Sequence, residues 1–174
     1  EILKYYSGTE LKSHFDKIKN KQLRASIKPQ QVHHVAQAFN GNGKELIEKY
    51  DERGVSRGLI KELGLENSME QNLKELSGGE LQRLAIAAVA SKDTEFYFFD
   101  EPSSYNDVFQ RKSVARVIQS LAKIGKSVMV VEHDLTLLDF LSDYIELLYG
   151  EPAAYGIFSN VLSTKIGINV FLDG

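Results

Sequence analysis

Two apolar runs that each end in acids constrain the fold most. Phe96, Tyr97, Phe98 and Phe99 run without a break to Asp100-Glu101-Pro102, and Ser127 to Val131 repeats the design before Glu132-His133-Asp134. A short continuous apolar run bounded by turn residues reads as a strand buried on both faces, as in the centre of a parallel sheet. Between the runs, Asp107 offers a helix cap, Val114, Val117, Ile118 and Leu121 recur at helical spacing, and Gly125 ends the helix. Asp134 caps a further helix that carries Leu135, Leu138 and Leu141. Strand, helix, strand and helix in this order predict an α/β fold with a mainly parallel core sheet and flanking helices. They also bring Asp100, Glu101 and His133 to one sheet edge, where open α/β sheets place their ligands.

The stretch LSGGELQR, Leu76 to Arg83, joins a glycine turn to a helix. Gly78 and Gly79 let the backbone approach an anion without a side chain in the way, and Ser77 adds a hydroxyl donor. Leu81, Leu84, Ala85, Ala88 and Val89 then mark a helix that buries one face. The N-terminal end of such a helix favours negative charge, although a serine there also serves as an ordinary N-cap.

Upstream, Ser7 and Glu10 have capping-box spacing, so a short helix carrying Leu11, Phe15 and Ile18 is expected after Gly8. Leu23 to Ile27 reads as a short strand before Pro29, with Gln30 at its exit. Residues 32 to 76 turn helical, interrupted at Gly41, Gly43, Gly54 and Gly64. His33 and His34 are neighbours and diverge on a helix, so they do not make a metal site. Downstream, Tyr144 to Tyr149 and Tyr155 to Phe158 suggest a strand pair joined through Gly150 to Ala154, with a less regular tail after Ser159.

At 174 residues and 43% hydrophobic, the chain has the size of one domain with a core. No run of about eighteen apolar residues occurs, which predicts no membrane span, and EILKYYSG does not read as a secretory signal. Zero cysteines exclude disulfides, thiolate catalysis and Cys-ligated metal, and fit a cytoplasmic protein. The net charge of -3 argues against a strongly basic nucleic-acid binder. Lys17, Lys19, Lys21, Arg24 and Lys28 form a local basic run of the kind that is usually a solvated face.

A carboxylate at a strand end beside phosphates suits a cation, so Asp100 is a candidate for a Mg²⁺ shell. Glu101, one residue on, is placed to orient or deprotonate an attacking water, and His133 to donate a hydrogen bond to a terminal phosphate.

In order, Gln30, LSGGELQR, FYFFDEP, SSYND and VVEHD resemble the nucleotide-binding domain of the ABC ATPases from Q-loop to H-loop. IKPQ, DEPSSY, LDFLSD, YGEPAAYG and GINVFLDG are similar to the first nucleotide-binding domain of the RNase L inhibitor family, the subfamily E ribosome-recycling ATPases. That resemblance implies an ABC-type ATPase head. Its parts would be a helix-loop-helix and core strand (1–28), a helical subdomain with the signature (29–91), the ATPase core (92–160) and the start of a hinge (161–174). It implies ATP and Mg²⁺ as cofactors, with Gln30 as the Q-loop residue sensing Mg²⁺ and γ-phosphate. Asp100 would be the Walker B aspartate, Glu101 the catalytic glutamate and His133 the switch histidine. Ser77, Gly78, Gly79 and Glu80 would form the signature pressed on ATP in the opposite domain, and Ser104 to Asp107 the D-loop. Implied partners are a second nucleotide-binding domain of the same polypeptide, the ribosome with its RNA near Gly8 and Thr9, and a release or rescue factor, without a membrane.

The chain departs from the family pattern at three places. No G-x-x-x-x-G-K-[ST] phosphate loop occurs, so the domain looks as if its front portion were left out, and weak hydrolysis by the isolated chain is expected. Asn106 stands where the D-loop expects a hydrophobic residue, which should weaken packing against the partner domain. Ser7 stands where YFRGSEL of the family has arginine, removing a charge that pairs with phosphate. A split head of the SMC or Rad50 type is the nearest rival among ATPases, but it calls for sustained heptads where glycines interrupt residues 32 to 76. A non-catalytic interaction module that keeps these residues as scaffold is the alternative from another class.

Overall fold

The computed structural model describes residues 2–173. Helices α1 (Ile2–Tyr5) and α2 (Glu10–Lys19) lead into strand β1 (Ala25–Lys28). Helices α3 (His33–Ala38), α4 (Gly43–Tyr50) and α5 (Ser56–Glu62) and a 3-10 turn (Glu66–Ser68) precede helix α6 (Gly78–Ala90). Strand β2 (Phe96–Asp100), helix α7 (Val108–Lys123), strand β3 (Ser127–Val131) and helix α8 (Leu135–Leu141) follow. The chain continues through β4 (Tyr144–Ile145), β5 (Leu148–Glu151), β6 (Tyr155–Phe158), β7 (Leu162–Ser163) and α9 (Thr164–Asp173).

The core sheet has the order β1-β2-β3 and both pairings are parallel, as the sequence predicts. Ile27 stands beside Phe98 and Phe98 beside Met129, so each face of the sheet is read across all three strands. Helices α6 and α7 pack on one face only, where Tyr97 and Phe99 are fully buried and Val128 and Val130 lean on the same core. On the other face Ile27 is 61% exposed and Met129 43%, while Phe96 and Phe98 are half-buried. The expectation of strands buried on both faces is therefore corrected to one face, because no described element covers the second.

Helix α6 needs the opposite correction. It was expected to bury one face, yet every side chain from Leu81 to Ala90 is buried. The helix runs between the sheet and helices α3, α4, α5 and α7, and the small Ala85, Ala87, Ala88 and Ala90 let these neighbours approach from all sides. Full burial of a side chain such as Leu84 or Ile86 contributes about 2 kcal/mol, so this helix anchors whatever its N-terminus carries.

Three local expectations change. Helix α2 begins after Gly8 as expected, but its N-cap is Thr9 and not Ser7, and the Thr9 hydroxyl donates to the Tyr6 carbonyl, so no capping box forms. The strand pair forms as β5 with β6, while Tyr144 and Ile145 pair with Leu162 and Ser163 instead. The tail forms α9, where tertiary contact outweighs a β-branched composition: its Gly167 lies against Ile145, and Thr164 donates to the Ser142 carbonyl at 2.6 Å. Both predicted caps hold, since Asp107 accepts from the Gln110 amide and Asp134 from those of Thr136 and Leu137. No described helix is long and apolar enough to cross a membrane.

Candidate functional site at the sheet edge and the glycine turn

Parallel strands point their C-terminal ends the same way, and this is what assembles the first part of the site. Gln30 follows β1, Asp100 and Glu101 end β2, and His133 follows β3. The Glu101 carboxylate is their meeting point. Its Oε1 accepts from Gln30 Nε2 at 2.8 Å and lies 3.2 Å from His133 Nε2, and its Oε2 accepts from the Ser104 hydroxyl at 3.2 Å. The Gln30 amide above all, then Ser104 and His133, hold the carboxyl below its usual range against the opposing cost of desolvation. The group is thus ionised at neutral pH and available as a proton acceptor. His133 is 80% exposed along its side chain, so only one side of its ring is committed.

The backbone beneath is unusual. Glu101 has φ +45° and Tyr105 φ +64°, left-handed conformations that cost non-glycine residues about 1–3 kcal/mol and concentrate at functional sites. The Glu101 N–H donates to the Val131 carbonyl at 2.9 Å. From below, Lys28 Nζ donates to the carbonyls of Asp100 at 2.5 Å and Glu101 at 3.3 Å, and Gln82 Nε2 donates to the Glu101 carbonyl at 2.7 Å. Lys28 is fully buried, and burial lowers its pKa to about 8 against the pull of the Asp100, Glu101 and Glu132 carboxylates. The solvated basic run is corrected at this residue: strand alternation turns Ser26 and Lys28 inward together. Glu132 braces the following turn by accepting from the Ser103 N–H at 2.8 Å.

The second part is the turn at Ser77. Ser77 is the N-cap of α6 in a capping box with Glu80, and its hydroxyl donates to Glu80 Oε2 at 2.6 Å. Glu80 Oε1 accepts from the Ser68 hydroxyl at 2.5 Å, and that bond first, then those from Ser77, keep the Glu80 carboxyl below its usual range. The glycines have a tertiary reason as well as a local one. A Cβ on Gly79 would lie 2.7 Å from the Tyr105 carbonyl, and one on Gly78 3.3 Å from the Tyr105 ring. An open hollow of about 560 Å³ is lined by Ser77, Gly78, Gly79, Glu80, Arg83, Tyr105 and Gln110.

Asn106 is only 5% exposed, so its side chain turns into this domain. Its Oδ1 accepts from Arg83 Nη1 at 3.0 Å and its Nδ2 donates to the carbonyls of Pro102 and Ser104. Arg83, itself buried, also donates to the Leu63 carbonyl at 2.9 Å. Asp107 spends its carboxylate on the cap of α7. Gly8, with φ +86°, and Thr9 make the turn between α1 and α2. His34 bonds Gln31 and Gln37, His33 meets the Tyr105 ring edge-on, and no metal-binding cluster of three His, Cys, Asp or Glu occurs among the described residues.

Lys28, Gln82, Arg83 and Glu132 are the site residues that sequence reasoning missed. Three had a signal: Lys28 falls on the inward phase of a strand, and Gln82 and Arg83 interrupt an otherwise apolar helix. Glu132 had none, because its partner is set by the tertiary fold.

The ABC transporter family model matches residues 2–104, more than half of the chain. The chain is 47% identical over its whole length to ABC transporter E family member 1 of Arabidopsis thaliana, covering 29% of that relative. Among solved structures, it matches an RNase-L Inhibitor at 50% identity with a TM-score of 0.94, over 98% of this chain and 33% of that one. It also matches a model of ribosome-bound archaeal Pelota and ABCE1 at 51% identity with a TM-score of 0.93, over 99% of this chain and 29% of that one. The chain belongs to the ABC transporter family of nucleotide-binding domains, in the branch of the RNase L inhibitor. It spans less than a third of the length of that Arabidopsis relative.

Proposed function

We propose that the chain is part of an ATP-binding and ATP-hydrolysing domain whose closure on nucleotide drives the splitting of ribosomal subunits. The observation that carries the chemistry is the ionised Glu101 carboxylate, held between Gln30, Ser104 and His133 at one sheet edge. In this reading Glu101 takes the proton of the attacking water, and His133 donates a hydrogen bond to the γ-phosphate.

Asp100 and Gln30 would hold Mg²⁺. The donor set fits, since Mg²⁺ takes one or two carboxylates and fills its shell with phosphates and water. Gln30 spends its amide N–H on Glu101, which leaves the amide oxygen for a cation. The ion would supply charge neutralisation to the phosphates.

Ser77, Gly78, Gly79 and Glu80 would meet ATP held by the second nucleotide-binding domain of the same polypeptide, where amides at the α6 N-terminus favour a γ-phosphate. Asp107 belongs to the loop crossing between the two sites. Gly8 and Thr9 would contact ribosomal RNA, alongside a release or rescue factor, in the cytoplasm. The ribosome-bound relative supports this assignment of partners.

The test is Glu101→Gln in the complete protein. A trapped, closed, ATP-bound complex is expected. Normal splitting with no trapped state would favour the interaction module. The isolated chain contains no G-x-x-x-x-G-K-[ST] and is expected to turn ATP over weakly, so vigorous Glu101-dependent hydrolysis by it would overturn the reading.

A further inference from the structure

We propose that Lys28 and Gln82 are positioning residues for Glu101, holding from below the left-handed turn that aims its carboxylate. The inference rests on Glu101 being the catalytic base. The groups around the carboxylate itself, Gln30 and His133, are exposed and free to move with a ligand. The groups beneath the turn are fully buried. Lys28 Nζ bonds the carbonyls on both sides of the Glu101 Cα, and Gln82 Nε2 bonds the second of them. Fixing the two flanking peptides fixes the direction of the Cα–Cβ bond, and so the line along which the carboxylate leaves the backbone.

Neither residue is explained by packing. An ammonium at 0% exposure is costly to bury, and among the described residues Lys28 makes no ion pair within 4.0 Å, since its hydrogen bonds go to these carbonyls. A methionine would fill the same space without that cost. Gln82 likewise interrupts an apolar helix, and its Oε1 has no hydrogen-bond partner among the described residues. The side chain keeps an unsatisfied oxygen in the core for the sake of one bond to Glu101. Because Gln82 sits on α6, the helix that starts at Ser77, a shift of the glycine turn is transmitted to the Glu101 carbonyl through a single amide.

The test is steady-state ATP turnover by the complete protein carrying Lys28→Met or Gln82→Met. Each is expected to lower kcat by about tenfold or more with KM for ATP unchanged, since a small misplacement of a reacting group costs that much. Gln82→Met removes one bond together with one orphaned oxygen, so its urea midpoint should match the wild type. Placed on Glu101→Gln, neither change should slow the residual turnover further. Unchanged kcat in Gln82→Met, or an equal additional loss on Glu101→Gln, would overturn the inference, and Gln82→Met decides it if Lys28→Met does not fold. A wild-type protein with no turnover would overturn the catalytic reading itself, and this inference with it.

Discussion

The turn at Ser77 takes its shape from four successive residues and a capping box, whereas the group around Glu101 is drawn from Gln30, Ser104 and His133, as much as 103 positions apart in the chain. The cap of the first is helix-cap chemistry between neighbours in sequence. The second exists only while three strands keep their parallel register, and it adds a left-handed backbone that nothing local would select. A local site therefore depends on its own hydroxyls and glycines, and a non-local one on the core beneath it. The two are also joined: Gly79 abuts Tyr105, and Gln82 bonds the Glu101 carbonyl.

The strongest challenge to this contrast is Phe99→Ala. Phe99 is fully buried directly before Asp100, and its removal should cost about 3–5 kcal/mol in urea unfolding. A loss below about 1 kcal/mol would mean that the strand ends do not depend on that core. Next comes Gly79→Ala, expected to cost about 1–3 kcal/mol because the new methyl meets the Tyr105 carbonyl. A neutral result would make the turn wholly local and widen the contrast.

Ser77→Ala should cost about 1 kcal/mol through the lost cap. It should also alter the acid limb of the stability profile in a definite sense. The folded pKa of Glu80 lies below its unfolded value of about 4.5, so its stabilisation is complete above that pH and fades as pH falls through the lower folded value. Removing the Ser77 hydroxyl raises the folded value and narrows that window, which urea midpoints measured between neutral and acid pH would register.

The order of strands and helices was legible because each depends on neighbours in sequence. Asp107 and Asp134 cap where their spacing says, and the apolar runs at Phe96 and Ser127 are strands. Burial was less legible. The same periodicity that predicted a one-sided α6 and a two-sided β2 cannot say how many neighbours arrive, and the structure reversed both. Asn106 shows the same limit, since its type departs from the family pattern but only the position of Arg83 decides that it turns inward.

What the amino-acid order determined alone is the inventory: a capped glycine turn, acids and a histidine just beyond apolar strands, and the resemblance those carry. What the tertiary structure decided is which of these groups touch. Strand register put Gln30, Glu101 and His133 on one carboxylate, and burial turned Lys28 from a surface charge into a support beneath it. The reason is physical. Caps and periodicities arise from interactions within a few residues, while a contact across a sheet depends on the packing energy of the whole core, which no single stretch encodes.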